Sequence, residues 1–167
     1  MQKHDAIIYE YGDKYFIIQR SKQDERQSEC PSENVALTNS LPIDINYSLL
    51  GESVLRAIDN YGAIKPSYSP WELKELRKQL CGWIGAKSYS ELLRTSRLVI
   101  AQRNFDRNRI EIIPFDNFNI NKWETMLVDD MICLPADSDF ESVGIAIYKA
   151  FSIATNHPDK KIYTNRH

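Results

Sequence analysis

Six acidic side chains, Glu124, Asp129, Asp130, Asp137, Asp139 and Glu141, fall between Trp123 and Tyr148 with no Lys or Arg among them. Neighbouring carboxylates such as Asp129-Asp130 and Asp137-Ser138-Asp139 could share a divalent cation, or divide into a protonated acid and an ionised base. They could equally complement helix starts, lie solvated in loops, or present a negative surface to a cationic partner. From Lys74 to Arg109 the balance reverses, with nine basic residues against three acidic ones. Interleaved with Trp71, Trp83, Tyr89 and Phe105, that stretch could hold phosphates, but it matches no base-stacking motif of the RNA-binding modules. Trp71, in a helix cap, and Tyr89, at a helix start, are expected to pack on the core.

Other catalytic equipment is sparse. Of three histidines, His4 lies near the start, His157 precedes Pro158 and His167 is the last residue, so no positioned histidine-based triad is expected. No Cys-x-x-Cys, His-x-x-x-His or calcium-loop spacing occurs, and neither a Gly-x-Gly-x-x-Gly nor a phosphate loop. Cys30, Cys81 and Cys133 each lack an adjacent histidine and read as structural or idle thiols. The expectation is a protein without cofactor, metal or catalytic residue, which performs no bond-making. Two rivals stand beside it: a nucleic-acid-binding regulator using residues 74–109, and a small hydrolase built on the clustered carboxylates.

The 167 residues carry a net charge of −2, are 43% apolar and 26% charged, and include few Gly or Pro, which excludes disordered and collagen-like chains. The length suits one domain, residues 1–167. No apolar run approaches the roughly 18 residues of a membrane span, and no signal-peptide core follows the first residues. An odd, dispersed cysteine set points to the reducing cytoplasm. No sequence signature bears on oligomeric state.

These side chains need a scaffold. Ala6–Tyr11 and Tyr15–Arg20 read as a hairpin turned at Gly12-Asp13. Residues 21–46, broken by Pro31 and Pro42, read as an irregular excursion with a short strand at Val35–Leu37. Leu50, Val54, Ala57, Ile58 and Tyr61 mark one face of a helix stopped by Gly62. Ser69-Pro70-Trp71-Glu72 is a capping box opening a second helix, with Leu73, Leu76 and Leu80 as its buried stripe and Gly82 at its end. Ser88-Tyr89-Ser90-Glu91 repeats the box for a short third helix. Arg97–Arg103 and Ile110–Pro114 form a second hairpin, whose second strand Pro114 either ends or places at a sheet edge, and Met131–Leu134 a further short strand. Ser138-Asp139-Phe140-Glu141 is a third box, opening a last helix to about Thr155 that is apolar nearly all round and should be the most buried. Residues 156–167 read as a frayed tail. The order predicts an α+β domain: a small antiparallel sheet of two hairpins with about four helices packed on one side.

Four segments carry a family resemblance: Leu50-Gly51-Glu52-Ser53-Val54-Leu55-Arg56-Ala57-Ile58, Lys87-Ser88-Tyr89, Ile110-Glu111-Ile112-Ile113-Pro114 and Val143-Gly144-Ile145-Ala146-Ile147-Tyr148. Together they resemble immunity proteins of bacterial contact-dependent growth inhibition, the CdiI family. The resemblance implies a small cytoplasmic protein that binds and blocks its cognate CdiA C-terminal toxin domain, often a nuclease, and here a ribonuclease-like one by expectation. It implies no catalytic residue, and the family's toxin contacts vary too much to be carried over by position. An acidic surface suits a toxin that is basic around a phosphate-binding cleft. Glu124, Asp129, Asp130, Asp137 and Asp139 are therefore the expected toxin contacts, with the basic arm Arg94–Arg109 as the competing location.

Overall fold

The computed structural model describes residues 3–23, 33–65, 68–117 and 125–156. Four stretches of sequence are apolar at consecutive rather than alternate positions: Ala6–Tyr9, Tyr15–Ile18, Leu98–Ala101 and Ile112–Phe115, and every residue in them is buried. A strand of that kind must be covered on both faces.

These runs lie in the central strands β1 (Lys3–Tyr11), β2 (Lys14–Gln23), β5 (Arg97–Asn104) and β6 (Arg109–Asp116). Among the described residues the sheet has eight strands, six of them in the order β3-β2-β1-β5-β6-β7, with β3 at Glu33–Pro42 and β7 at Thr125–Met126. Two further strands complete it. β4 (Gly62–Lys65) runs parallel to the end of β2, and β8 (Ile132–Pro135) pairs antiparallel with β6. The other pairings between these strands are antiparallel, and an isolated parallel bridge joins Asp116 to Thr155.

One face carries Ala6, Ile8, Tyr15, Ile17, Val99, Ala101, Ile110 and Ile112, packed with α1 (Tyr47–Asp59) and α4 (Phe140–Ile153). The other carries Ile7, Tyr9, Phe16, Ile18, Leu98, Ile100, Ile113 and Phe115, packed with Leu80 and Ile84 of α2 (Pro70–Ile84) and Leu92 of α3 (Tyr89–Thr95). The α+β class holds. The expectation of helices on a single side does not, because strands apolar on both faces would leave one face exposed to water.

Several local readings change. The excursion 21–46 contains the ten-residue β3, paired along β2 with two register shifts, in place of a three-residue strand; residues 24–32 lie outside the described residues. α1 ends at Asp59 on Asn60, and Gly62 opens β4. α2 runs through Gly82 to Gly85, whose left-handed φ of 83° closes it. Its box is reciprocal as expected, with Glu72 N–H donating to Ser69 Oγ at 3.2 Å and Ser69 N–H to Glu72 Oε2 at 2.8 Å. Only Leu80 of the expected stripe is fully buried, together with Cys81 and Ile84, while Leu73 and Leu76 are half-buried and Trp71 is 69% exposed.

Pro114 does not end β6. It sits where the outer partner changes from β8 to β7, and its carbonyl accepts the Leu127 N–H at 2.9 Å. α4 is capped by Asp139 rather than Ser138, and it is amphipathic: Phe140, Glu141, Tyr148 and Lys149 face solvent. The expected tail begins at Asn156, and residues 157–167, with His157 and His167, lie outside the described residues.

Candidate functional site

The acidic segment forms an edge of the sheet. Along the outer side of β6, Phe115 and Asp116 pair with Met126 and Thr125 of β7, while Ile112 to Arg109 pair with Ile132 to Pro135 of β8. A single 3₁₀ turn, Val128–Asp130, joins the two strands. Asp129 and Asp130 therefore precede β8, and Asp137 and Asp139 follow it. Four strand residues at about 3.3 Å each put the two pairs roughly 13 Å or more apart.

Asp129, Asp137 and Asp139 are exposed and Asp130 is half-buried, whereas Glu124 lies outside the described residues. Asp139 is occupied in capping: its Oδ1 accepts the Ser142 N–H at 2.7 Å, and this hydrogen bond holds its pKa below the usual carboxylate value. Among the described residues, no three His, Cys, Asp or Glu side chains converge as a metal site would require. The arrangement suits a charged outer surface better than a carboxylate active centre.

The basic arm is largely engaged within the fold. Arg97 donates to Glu10 Oε1 at 2.5 and 3.1 Å and to the Phe151 carbonyl at 3.0 Å. Arg103 reaches Asp59 at 3.5 Å and the Ala136 carbonyl at 3.1 Å, and Arg109 pairs with Glu111 at 2.6 Å. Arg77 lies over the Tyr89 ring, 5.4 Å from its centroid. The remaining exposed cations, Lys74, Lys78, Lys87, Arg94 and Arg107, are spread over α2, the α2–α3 connection, α3 and the β5–β6 turn. Phosphate tracking needs a continuous basic stripe, which this distribution does not offer. His4 stacks on Tyr61 at 4.7 Å and meets Phe105 edge-on at 4.9 Å, an aromatic packing role.

Glu111 anchors a buried polar cluster at one end of the sheet. It accepts from Gln102, from Asn104 at 3.0 Å and from Arg109 Nε at 2.7 Å, with Lys3 at 3.4 Å. Burial alone would raise its pKa. Hydrogen bonds from Arg109, Gln102 and Asn104, together with the Lys3 charge, overcome that and lower it to about 2.

A second feature was not foreseen from the sequence. α1 and α4 touch backbone to backbone: a Cβ on Gly144 would lie 1.9 Å from the Tyr47 carbonyl oxygen, and one on Gly51 1.9 Å from that of Phe140. This contact sets the Tyr47 and Tyr148 rings 5.5 Å apart, both on the surface, at 38% and 51% exposure. Beside them opens a groove of about 930 Å³. Ile43–Ser48 form one wall, Glu141, Tyr148 and Ser152 of α4 the other, and Tyr15, Glu10, Arg97 and Phe151 also line it. Tyr15 is buried, and that burial, with the nearby Glu10 charge, pushes its hydroxyl up to about 12. The sequence did contain a signal for this groove: Glu141, Tyr148 and Ser152 recur at helical spacing along one side of α4.

A family model described as CDI immunity protein matches residues 5–154. No curated protein matches the chain significantly in sequence. Among solved structures, a protein of unknown function from Neisseria meningitidis superposes with a TM-score of 0.70 at 18% identity, covering 92% of this chain and 96% of its own. A CdiA-CT/CdiI toxin and immunity complex from Yersinia pseudotuberculosis superposes with a TM-score of 0.67 at 17% identity, covering 93% and 99%. At these identities the superpositions establish a shared fold.

Proposed function

The chain belongs to the CDI immunity protein family, and from that membership we propose that it binds and neutralises the C-terminal toxin domain of its cognate CdiA-type effector inside the cell that makes both. The match across residues 5–154 carries this reading, since it spans nearly the whole fold. The likeness to the chain in a toxin and immunity complex is in keeping with it. The role is inhibitory rather than catalytic, and the task is to present a stable surface that outlasts encounter with a toxin. A nanomolar complex, about −12 kcal/mol, needs an interface of roughly 1,600 Å² with a few dominant anchors.

The partner we infer is a nuclease, ribonuclease-like, whose cleft is basic because it must attract phosphate. The edge bearing Asp129, Asp130, Asp137 and Asp139 is the surface that would cover such a cleft, because it gathers exposed carboxylates without a cation of its own segment. Glu124 belongs to the same proposed set by sequence.

Co-expression with the C-terminal domain of the effector encoded immediately upstream tests the reading. The two chains should co-purify, and growth should be rescued. Asp129→Lys with Asp130→Lys should slow association about tenfold at low salt, read by surface plasmon resonance. Unchanged kinetics with the fold intact would remove that corner from the interface.

A further inference from the structure

We propose that the groove beside Tyr47 and Tyr148 receives a lysine or arginine side chain of the toxin domain, and is the anchoring point of the complex. This rests on the immunity reading and adds a location to it.

Four observations point there. Tyr47 and Tyr148 are large rings held at the surface, and such exposed aromatics dominate binding energy when a partner covers them. Their backbones are fixed by the α1–α4 contact at Gly51 and Gly144, and the two rings lie against each other, which lowers the side-chain order to be gained on binding. The groove is acid-rimmed: Asp44 stands on one wall and Glu141 on the other, and neither forms an ion pair among the described residues. Arg97, the one cation among the lining residues, is already held by Glu10 and the Phe151 carbonyl.

A cation is therefore attracted by the rim and met by the aromatic residues that line the groove, the combination that recognises ammonium and guanidinium groups. An acidic or purely aliphatic partner segment would meet unpaired carboxylates instead. The groove also continues the acidic edge, because Asp137 and Asp139 lead directly into the α4 turn that carries Glu141.

The test compares wild type, Tyr47→Ala with Tyr148→Ala, and Asp44→Lys with Glu141→Lys against the purified upstream-encoded toxin domain, with circular dichroism to confirm folding. All four positions are exposed, so the variants should fold. We expect the tyrosine pair to weaken binding about 100-fold, mainly through faster dissociation. The charge pair should weaken it at least tenfold, with loss of salt dependence. Asp44→Asn with Glu141→Gln should fall between wild type and the reversal. Wild-type binding with both pairs within twofold overturns the inference and leaves the immunity reading standing. A large tyrosine effect with no charge effect overturns the cationic occupant. Absence of wild-type binding overturns both.

Discussion

Glu111 shows how a single side chain can look ordinary in sequence and be exceptional in place. It stands between Ile110 and Ile112 and is buried against Gln102, Asn104, Arg109 and Lys3. Those partners come from three strands, and only their register assembles them. Its carboxyl falls from the ordinary value to about 2 on folding, so its contribution is complete above pH 4.5 and is lost as pH drops toward 2. Glu111→Gln should cost about 3 kcal/mol at pH 7 in urea unfolding, and the gap to wild type should close across that acid window. A gap that stays constant down to pH 2 would show that the charge contributes nothing. Asp139 belongs to the same scale. Asp139→Ala should lower Tm by roughly 3 °C by removing the α4 cap, whereas Asp139→Asn should retain most of the stability. The pair separates capping from any loss of toxin affinity, which both variants should share.

At the level of elements, most helices were legible because their signals are local. Ser69-Pro70-Trp71-Glu72 forms the reciprocal box that its spacing announces, and Gly12-Asp13 turns the first hairpin. Boundaries drifted wherever a tertiary partner intervened: Gly62 serves β4 beside β2, and Pro114 fits a change of partner strand. β3 was read at only three of its ten residues, Val35–Leu37, because its side chains are mostly half-buried or exposed and leave little alternation to read. The two glycines of α1 and α4 are the element-scale finding. They lie in two of the segments that carry the family resemblance, and the structure supplies a physical reason for small residues there. Gly144→Ala or Gly51→Ala must displace backbone, for which we expect a loss of about 3 kcal/mol or failure to fold, measured by thermal and urea unfolding. Gly82, with open space around its Cβ position and inside α2, should tolerate alanine with equal or greater stability.

For the molecule as a whole, charge is arranged by layer and edge rather than by net value. Acids line the β7–β8 edge and continue to the groove between α1 and α4, while the arginines of β5 and β6 are engaged by Glu10, Asp59 and Glu111. Association with a basic toxin should therefore slow steeply as ionic strength rises, with dissociation much less affected. The sequence by itself determined what depends on neighbours a few residues apart: helix starts, hairpin turns, the α+β class, the segregation of acidic from basic stretches and the family resemblance. It could not place the helices on both faces of the sheet, bring Tyr47 to Tyr148, or set Asp44 and Glu141 on one groove. The two pairings at the groove join residues about 100 positions apart, and all these relations exist only once burial of a two-faced sheet and a backbone-to-backbone helix contact have fixed which distant segments meet.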